Sequence, residues 1–308
     1  MYDVIIIGGG PAGLSAGIYA GRAKLKTLIL EAGMDGGQLA QTLEVANYPG
    51  IVEGETGMDL ALRMSKQAKS FGAEIKMAEA KKVHDQGQKK VVETDAGEFE
   101  SKTVIVATGT KSRKLGVPGE EEFAGRGVSY CATCDGPFYG EGTIYVIGGG
   151  DAAVEEAIFL TRFAKKVYIV HRRDTLRAEA YLEEMARNNE KIDFIWDSEL
   201  VELKGDKSLT EIKIRNKKTQ EEQVIVKDDQ GPLGVFIYVG NDPQTEFLGD
   251  LVDREAGFVI TNDKQETSLP GIYAAGDIVK KKVRQVINSA SEGAIAAISA
   301  SEYIERNE

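Results

Sequence analysis

Near its start the chain runs from Val4-Ile5-Ile6-Ile7 directly into Gly8-Gly9-Gly10-Pro11-Ala12-Gly13, and no other feature narrows the fold as sharply. A continuous β-branched run predicts a parallel strand buried on both faces. The glycines after it divide the work of a close connection. Gly8 serves the tight turn, Gly10 lets the backbone approach a pyrophosphate, and Gly13 permits close packing of helix on strand. Leu14 to Arg22 has helical composition, and Thr27 to Leu30 is strand-like again. Strand, glycine turn, helix and strand form the βαβ unit of dinucleotide-binding domains.

The same plan returns at Thr143 to Ile147, followed by Gly148-Gly149-Gly150-Asp151-Ala152-Ala153, a helical stretch from Val154 to Phe163 and a strand from Lys166 to Val170. Gly148, Gly150 and Ala153 fill the three places, Ala being an accepted third member. One such hexapeptide is a weak signal. Two of them, each with its strand before and its helix and strand after, point to two nucleotide sites. In each, the pyrophosphate would rest on the N-terminus of the following helix, where free amides and the macrodipole favour negative charge.

The residue closing the second strand separates the two sites. Eighteen positions beyond Gly13 stands Glu31; eighteen beyond Ala153 stands His171, followed by Arg172, Arg173 and Arg177. A carboxylate there accepts hydrogen bonds from ribose hydroxyls, whereas arginines pair with a 2'-phosphate. The first site therefore reads as FAD-type and the second as NADPH-type, the competing reading of "HRRDTLR" being a solvated helix start. The C-terminal "SLPGIYAAGDI" (268–278) supports FAD, because Asp277 could hydrogen-bond a ribitol hydroxyl and a helix from about Gln285 to Ile304 could aim its positive end at the isoalloxazine.

A lone half-domain needs completing strands, so this tail is expected to fold back onto the first unit. "TVIVATG" (103–109) and "VFIYVGNDP" (235–243) read as buried strands entering glycine turns, and "GTKSRKLGVPGEEEF" (109–123) as a crossover linker. The expected fold is α/β with two Rossmann-like, three-layer domains. An FAD domain covers 1–112 and 245–308, and an NADPH domain covering 113–244 is inserted into it.

The formal charge of -11 argues against nucleic acid, whose affinity for proteins comes from Lys and Arg. No apolar run approaches the roughly 18 residues of a membrane span. The first residues enter a strand with no basic leader, so a cytoplasmic location is expected.

The chain's two cysteines both lie in "GVSYCATCDGPFYG" (127–140). Cys131 and Cys134 admit three readings: core residues, half of a zinc site, or a redox dithiol. Zinc wants four ligands, and the only histidines, His84 and His171, lie in other contexts, so no metal is expected; a zinc shared across a dimer stays open. As a dithiol, one thiolate attacks or is released, the other resolves, and an acid must serve the leaving sulfur. Asp135 is the nearest candidate general acid/base, with helix capping as its alternative role.

Taken in order, "GGQL" (36–39), "VIVATG", "GRGVSYCATCDGPFY", "GGGDAAVEEA", "HRRDTLRA", "GIYAAGD" and "RQ" (284–285) closely resemble the low-molecular-weight bacterial thioredoxin reductases, from Asp3 to about Tyr303. The resemblance implies a homodimer that passes electrons from NADPH through FAD and the Cys131–Cys134 disulfide to thioredoxin. Cys134 would face the flavin, Cys131 would exchange with thioredoxin, and Asp135 would match the family's acid. Flavin contacts map onto Gly8, Gly10, Pro11, Ala12, Gly13, Glu31, Gly36, Gly37, Gln38, Asn47, Ala107, Thr108, Gly109, Gly276, Asp277, Arg284, Gln285 and Val286. NADPH contacts map onto Gly148, Gly150, Asp151, Ala152, Ala153, His171, Arg172, Arg173 and Arg177. Arg126 and Phe138 are the expected thioredoxin-facing residues. In this family the NADPH domain also rotates against the FAD domain, which the segments near 110–118 and 240–245 would permit.

Three positions depart from the family pattern. Val286 replaces an alanine after Arg-Gln, "VGNDPQT" lacks a histidine at its turn, and Pro137 stands where many members carry an aromatic residue. Rival functions keep the fold but change the partner: a ferredoxin-fed reductase, a dithiol oxidase, or a reductase of a thioredoxin-like or peroxide-reducing protein. A zinc-linked scaffold is the non-enzymatic rival. The arginine cluster favours NADPH as donor.

Overall fold

The computed structural model describes all residues except 42–44, 46, 53, 230 and 308, together with the side chains of 133 and 134, which also go undescribed. In chain order the elements begin β1 (Tyr2–Ile7), α1 (Pro11–Arg22), β2 (Thr27–Glu31), α2 (Gly57–Ser70) and β3 (Glu74–Met77). Then come β4 (Ala80–Gln86), β5 (Lys89–Thr94), β6 (Gly97–Val106), β7 (Thr110–Ser112), β8 (Val128–Ser129) and α3 (Ala132–Asp135). Next are β9 (Thr143–Gly148), α4 (Asp151–Leu160), β10 (Lys166–Val170), α5 (Ala180–Arg187) and β11 (Ile192–Ile195). After them stand β12 (Ser198–Gly205), β13 (Leu209–Asn216), β14 (Glu222–Val226), β15 (Leu233–Tyr238) and β16 (Asn241–Pro243). The chain closes with β17 (Arg254–Glu255), β18 (Phe258–Val259), β19 (Ile272–Ala274) and α6 (Val286–Asn307). Among the described residues no helix is long and apolar enough to cross a membrane.

Two compact units result, one of residues 1–111 with 242–308 and the other of 112–241. The two chain crossings, β7 and β16, pair with each other as a short ribbon.

The first unit is built on parallel pairing. β1 lies between β2 and β6, with Ile6 opposite Ile29 and Ile105. β3 continues the sheet beyond β2, and β19 pairs with β6 through Ile272 and Val104. The chain's last strand thus completes a sheet begun by its first. The β-branched residues of β1 are fully buried because both faces are covered. Val4, Ile6, Ile29 and Ile105 pack toward α1, α2 and α6, while Ile5, Leu28, Val104 and Ile272 pack on the opposite side with Val83, Val92 and Val252. β4 and β5 extend the early part of β6 as an antiparallel ribbon.

The second unit repeats the plan with a five-stranded parallel sheet ordered β11-β10-β9-β15-β8. Ile144, Val146, Val167 and Phe236 face α4 and α5. Tyr145, Ile147, Val235 and Ile237 face a separate antiparallel sheet, β12-β13-β14, through Leu203, Leu209 and Ile212. Both units are therefore three-layered α/β structures. The antiparallel layer of unit two is an addition to the sequence reading, although Leu209, Ile212 and Ile214 carry the apolar side of β13.

Both helices that leave the glycine turns begin earlier than their composition suggests, at Pro11 and Asp151, directly on the turn. Proline at the first helical position has no N–H to lose and its φ suits the helix.

Nucleotide turns and the disulfide

The two glycine turns use one backbone device. Gly8 has φ +108°, a region other residues rarely enter, and a methyl there would lie 2.3 Å from the Ala107 carbonyl oxygen. At Gly148 the same methyl would lie 2.4 Å from the carbonyl oxygen of Tyr238, the end of the neighbouring strand. The turn must hug the sheet in both places. Gly13 then lies so close to Gly8 that its Cβ would stand 1.8 Å from the Gly8 oxygen. Ala153, in the equivalent place, is buried.

What each turn leaves open is a cradle. Around Gly10 and Gly150 a Cβ would meet nothing within 4 Å. Both residues are N-caps without a side-chain cap bond, so the first-turn amides, from Ala12 in α1 and from Asp151 in α4, are left for another partner. α2, by contrast, is closed by its own capping box of Thr56 and Asp59. Uncapped amides over an open, glycine-lined concavity suit the pyrophosphate of a dinucleotide.

The middle glycine of each turn faces the residue that distinguishes the sites. The Gly9 amide donates to Glu31 Oε2 at 2.5 Å, and the Gly33 amide to Glu31 Oε1 at 2.8 Å. Glu31 is thus held at the lip of the first turn. At Gly149 a Cβ would stand 2.4 Å from His171 Nδ1. His171 is buried, and its Nε2 has no hydrogen-bond partner. Burial, then Arg177, Arg172 and Arg173, hold this imidazole below its ordinary pKa, so it stays neutral. The Arg177 amide donates to the Gly149 oxygen at 2.6 Å, and the Glu179 amide to Asp151 Oδ1 at 2.7 Å. These bonds fold the arginine loop over the turn. Arg172, Arg173 and Arg177 are exposed, and none forms an ion pair among the described residues. Their charges act on His171, so positive charge gathers beside the second turn.

Of the other expected flavin residues of the first unit, Gly36 and Gly37 lie at the same turn. The Gly36 amide donates to the Gly9 oxygen at 2.7 Å, and Gly37 lies against Gly10. Gln38 Nε2 reaches Thr110 Oγ1 at 3.1 Å, while the Gln244 amide donates to the Gly109 oxygen at 3.0 Å and Thr108 Oγ1 to the Gln244 oxygen at 2.7 Å. Asn47 Nδ2 donates to Gln285 Oε1 at 3.0 Å, joining two positions far apart in sequence. Arg284 stacks 4.4 Å over the Phe258 ring, with its Nε buried and unpartnered. Val286 opens α6 and packs on the core. Asp277 accepts from Ser289 Oγ at 3.3 Å.

Two residues here escape sequence reasoning. Glu292 accepts from the Gly276 amide at 2.8 Å and pairs with Lys281 at 2.7 Å. Gly293 lets α6 meet α1: a Cβ there would stand 2.0 Å from the Ala12 oxygen. Both lie inside an Ala- and Ser-rich helix that carries no local mark of their task.

In the second unit Cys131 is disulfide-bonded, and no described cysteine is free. That bond occupies the sulfur a zinc ion would need. The side chain of Cys134 lies outside the described residues. The Cys131 amide donates to Ser129 Oγ at 3.0 Å, and the Asp135 amide to the Cys131 oxygen at 3.1 Å. Asp135 makes no side-chain cap to the turn that follows, which removes the capping alternative. Its charge, after burial, helps push the Tyr139 phenol up to about 12. Arg126 donates to the Glu122 oxygen at 2.5 Å, and Phe138 is 75% exposed on the turn Gly136–Tyr139.

Two dinucleotide cradles, the second on a unit that also carries a cysteine disulfide, define a pyridine-nucleotide-dependent disulfide oxidoreductase. The family model described as Pyridine nucleotide-disulphide oxidoreductase matches residues 2–293. A thioredoxin reductase of Peptoclostridium litorale is 47% identical over 99% of this chain and 98% of that protein. One of Bacillus subtilis (strain 168) is 46% identical over 99% and 95%. The crystal structure of Lactococcus lactis thioredoxin reductase superposes with a TM-score of 0.95 at 45% identity, covering 99% of this chain and 100% of that one. The chain belongs to the pyridine nucleotide-disulphide oxidoreductases and, within them, to the thioredoxin reductase family.

Proposed function

We propose that the protein carries electrons from NADPH through FAD and the Cys131–Cys134 disulfide to thioredoxin. The observation that carries this reading is the contrast between two otherwise matching turns: Glu31 against Gly9 in one, and in the other His171 against Gly149, followed by three arginines with no ion pair among the described residues.

In the first unit Gly8, Gly10, Gly13 and Glu31 would hold the pyrophosphate and ribose of FAD, with Gln38, Asn47, Asp277 and Gln285 along its length. In the second, Gly148, Gly150, Arg172, Arg173 and Arg177 would hold NADPH. The bound flavin would supply a two-electron carrier between nicotinamide and disulfide. The chain's own residues then manage sulfur and protons. Reduction of the Cys131–Cys134 bond takes two electrons and two protons and leaves two thiols. Cys131, as thiolate, attacks the partner's disulfide, and Cys134 resolves the mixed disulfide. Asp135 holds and returns the proton of the departing sulfur. The balance is NADPH, one proton and a partner disulfide giving NADP+ and a partner dithiol.

Arg126 and the exposed Phe138 are proposed to meet thioredoxin. The family resemblance supports a homodimer in the cytoplasm. The unpaired arginines favour NADPH over ferredoxin as donor. The test is to mix the purified protein with NADPH or NADH and thioredoxin while following nucleotide oxidation and flavin absorbance. NADPH is expected to bleach the flavin and NADH to do so poorly; a flavin that NADPH leaves oxidised sinks the donor assignment. Cys134→Ser is expected to abolish turnover, and a variant that still reduces thioredoxin sinks the relay.

A further inference from the structure

Tyr238 plays no part in the scheme above, yet it touches both of its centres in the second unit. As the last residue of β15 it sits opposite Gly148 in the parallel register, and its carbonyl oxygen is the atom that the first glycine of the nucleotide turn must clear. The phenol oxygen accepts the amide hydrogen of Ala132 at 2.9 Å. Ala132 is the first residue of α3, stands between Cys131 and Thr133, and is 1% exposed.

An N-terminal helix amide has no partner inside its own helix, and a buried one left unsatisfied destabilises the arrangement that leaves it so. In α3 Tyr238 supplies that partner. Ser129 works on the other side: its Oγ accepts the Cys131 amide at 3.0 Å and donates to the Cys131 oxygen at 3.2 Å. The Cys131 backbone is therefore held before and after its α-carbon, which leaves side-chain torsions to aim the sulfur.

The phenol is suited to stay neutral in this place. Burial, then the charges of Glu156 and Asp135, raise its pKa, against the lowering effect of the Ala132 bond. Glu156 lies on α4, the helix that leaves the nucleotide turn, and Asp135 ends α3. Tyr238 packs with Ala132, Ala153 and Ala157 in one cluster.

We infer that Tyr238 is a positioning residue for the redox disulfide, fixing the Cys131–Ala132 peptide through its phenol oxygen and tying it to the strand end that shapes the nucleotide turn. The inference rests on the disulfide-reductase reading, and its test separates the two. Tyr238→Phe keeps the ring and removes the acceptor. Turnover with thioredoxin is expected to fall about tenfold, with the KM for NADPH and the rate of flavin reduction by NADPH unchanged. In the chemically reduced protein, which needs neither cofactor, Cys131 is expected to react with iodoacetamide about fivefold faster than in the parent, because its backbone is no longer held. Equal alkylation rates overturn the inference. If NADPH fails to reduce the parent's flavin, the functional reading falls while the alkylation comparison still decides this one. Should Tyr238→Phe not fold, hydrogen exchange in the parent protein decides: protection of the Ala132 amide by about a hundredfold or more is expected, and exchange at the free-peptide rate overturns it.

Discussion

The imidazole of His171 occupies the space that a side chain at Gly149 would need, with Nδ1 2.4 Å and Cε1 2.5 Å from the position of its Cβ. The glycine is therefore required by its neighbour. Gly149→Ala must displace His171, and with it the loop that the Arg177 amide anchors on the Gly149 oxygen. The KM for NADPH is expected to rise about tenfold or more, since misplacing one charge-assisted contact is worth roughly 1.5–3 kcal/mol. Flavin content, measured by absorbance, should not change.

Arg172, Arg173 and Arg177 have no acidic partner among the described residues, so removing them leaves no buried charge stranded. Arg172→Ala with Arg173→Ala should lower kcat/KM for NADPH about thirtyfold and alter that for NADH less than about twofold, the exposed setting keeping each contact at the lower end of its range. Equal losses with both nucleotides would refute a 2'-phosphate pocket.

Gly293 admits the Ala12 backbone at a distance no side chain can share. Gly293→Ala is expected to force α6 off α1 and destabilise the first unit by about 1–3 kcal/mol. The readout is a lower thermal midpoint with earlier flavin release.

Glu156 gives a pH-dependent prediction. Burial, then Glu155, raises its pKa from the ordinary 4.5 to about 7. The folded protein therefore binds this proton more tightly than the unfolded chain. Stability from it is fully present below pH 4.5 and is lost as pH rises through 7, by of order 3 kcal/mol. Glu156→Gln should flatten the change in thermal midpoint between about pH 5 and about pH 8 and make the protein more stable at the upper end. An unchanged pH profile would place the titration elsewhere.

Much of this architecture can be read locally. Val4 to Gly13 and Thr143 to Ala153 declare strand, turn and helix within ten or so residues each, and Glu31 and Arg172 follow at a spacing set by one βαβ unit. Glu292 cannot be read that way, since its partner is the Gly276 amide across a loop. Ser15 Oγ meeting the Ala290 oxygen, 275 positions away, and Tyr238 meeting Ala132, 106 away, have no local signal. The antiparallel layer β12-β13-β14 is legible in principle from the alternation of Leu209, Ile212 and Ile214 with charged residues, but glycine turns are stronger marks than short alternations.

The pairing of β19 with β6 sets an order of events during synthesis. The ribosome delivers β6 early, then all of the inserted unit, and only afterwards residues 272–274 that complete the first sheet. A growing chain thus carries its second domain whole while the first still shows a bare strand edge, the kind of surface on which nascent proteins misassemble. Slow elongation between 112 and 271 lengthens that exposure, so codon choice in the inserted unit bears on the yield of the domain around it.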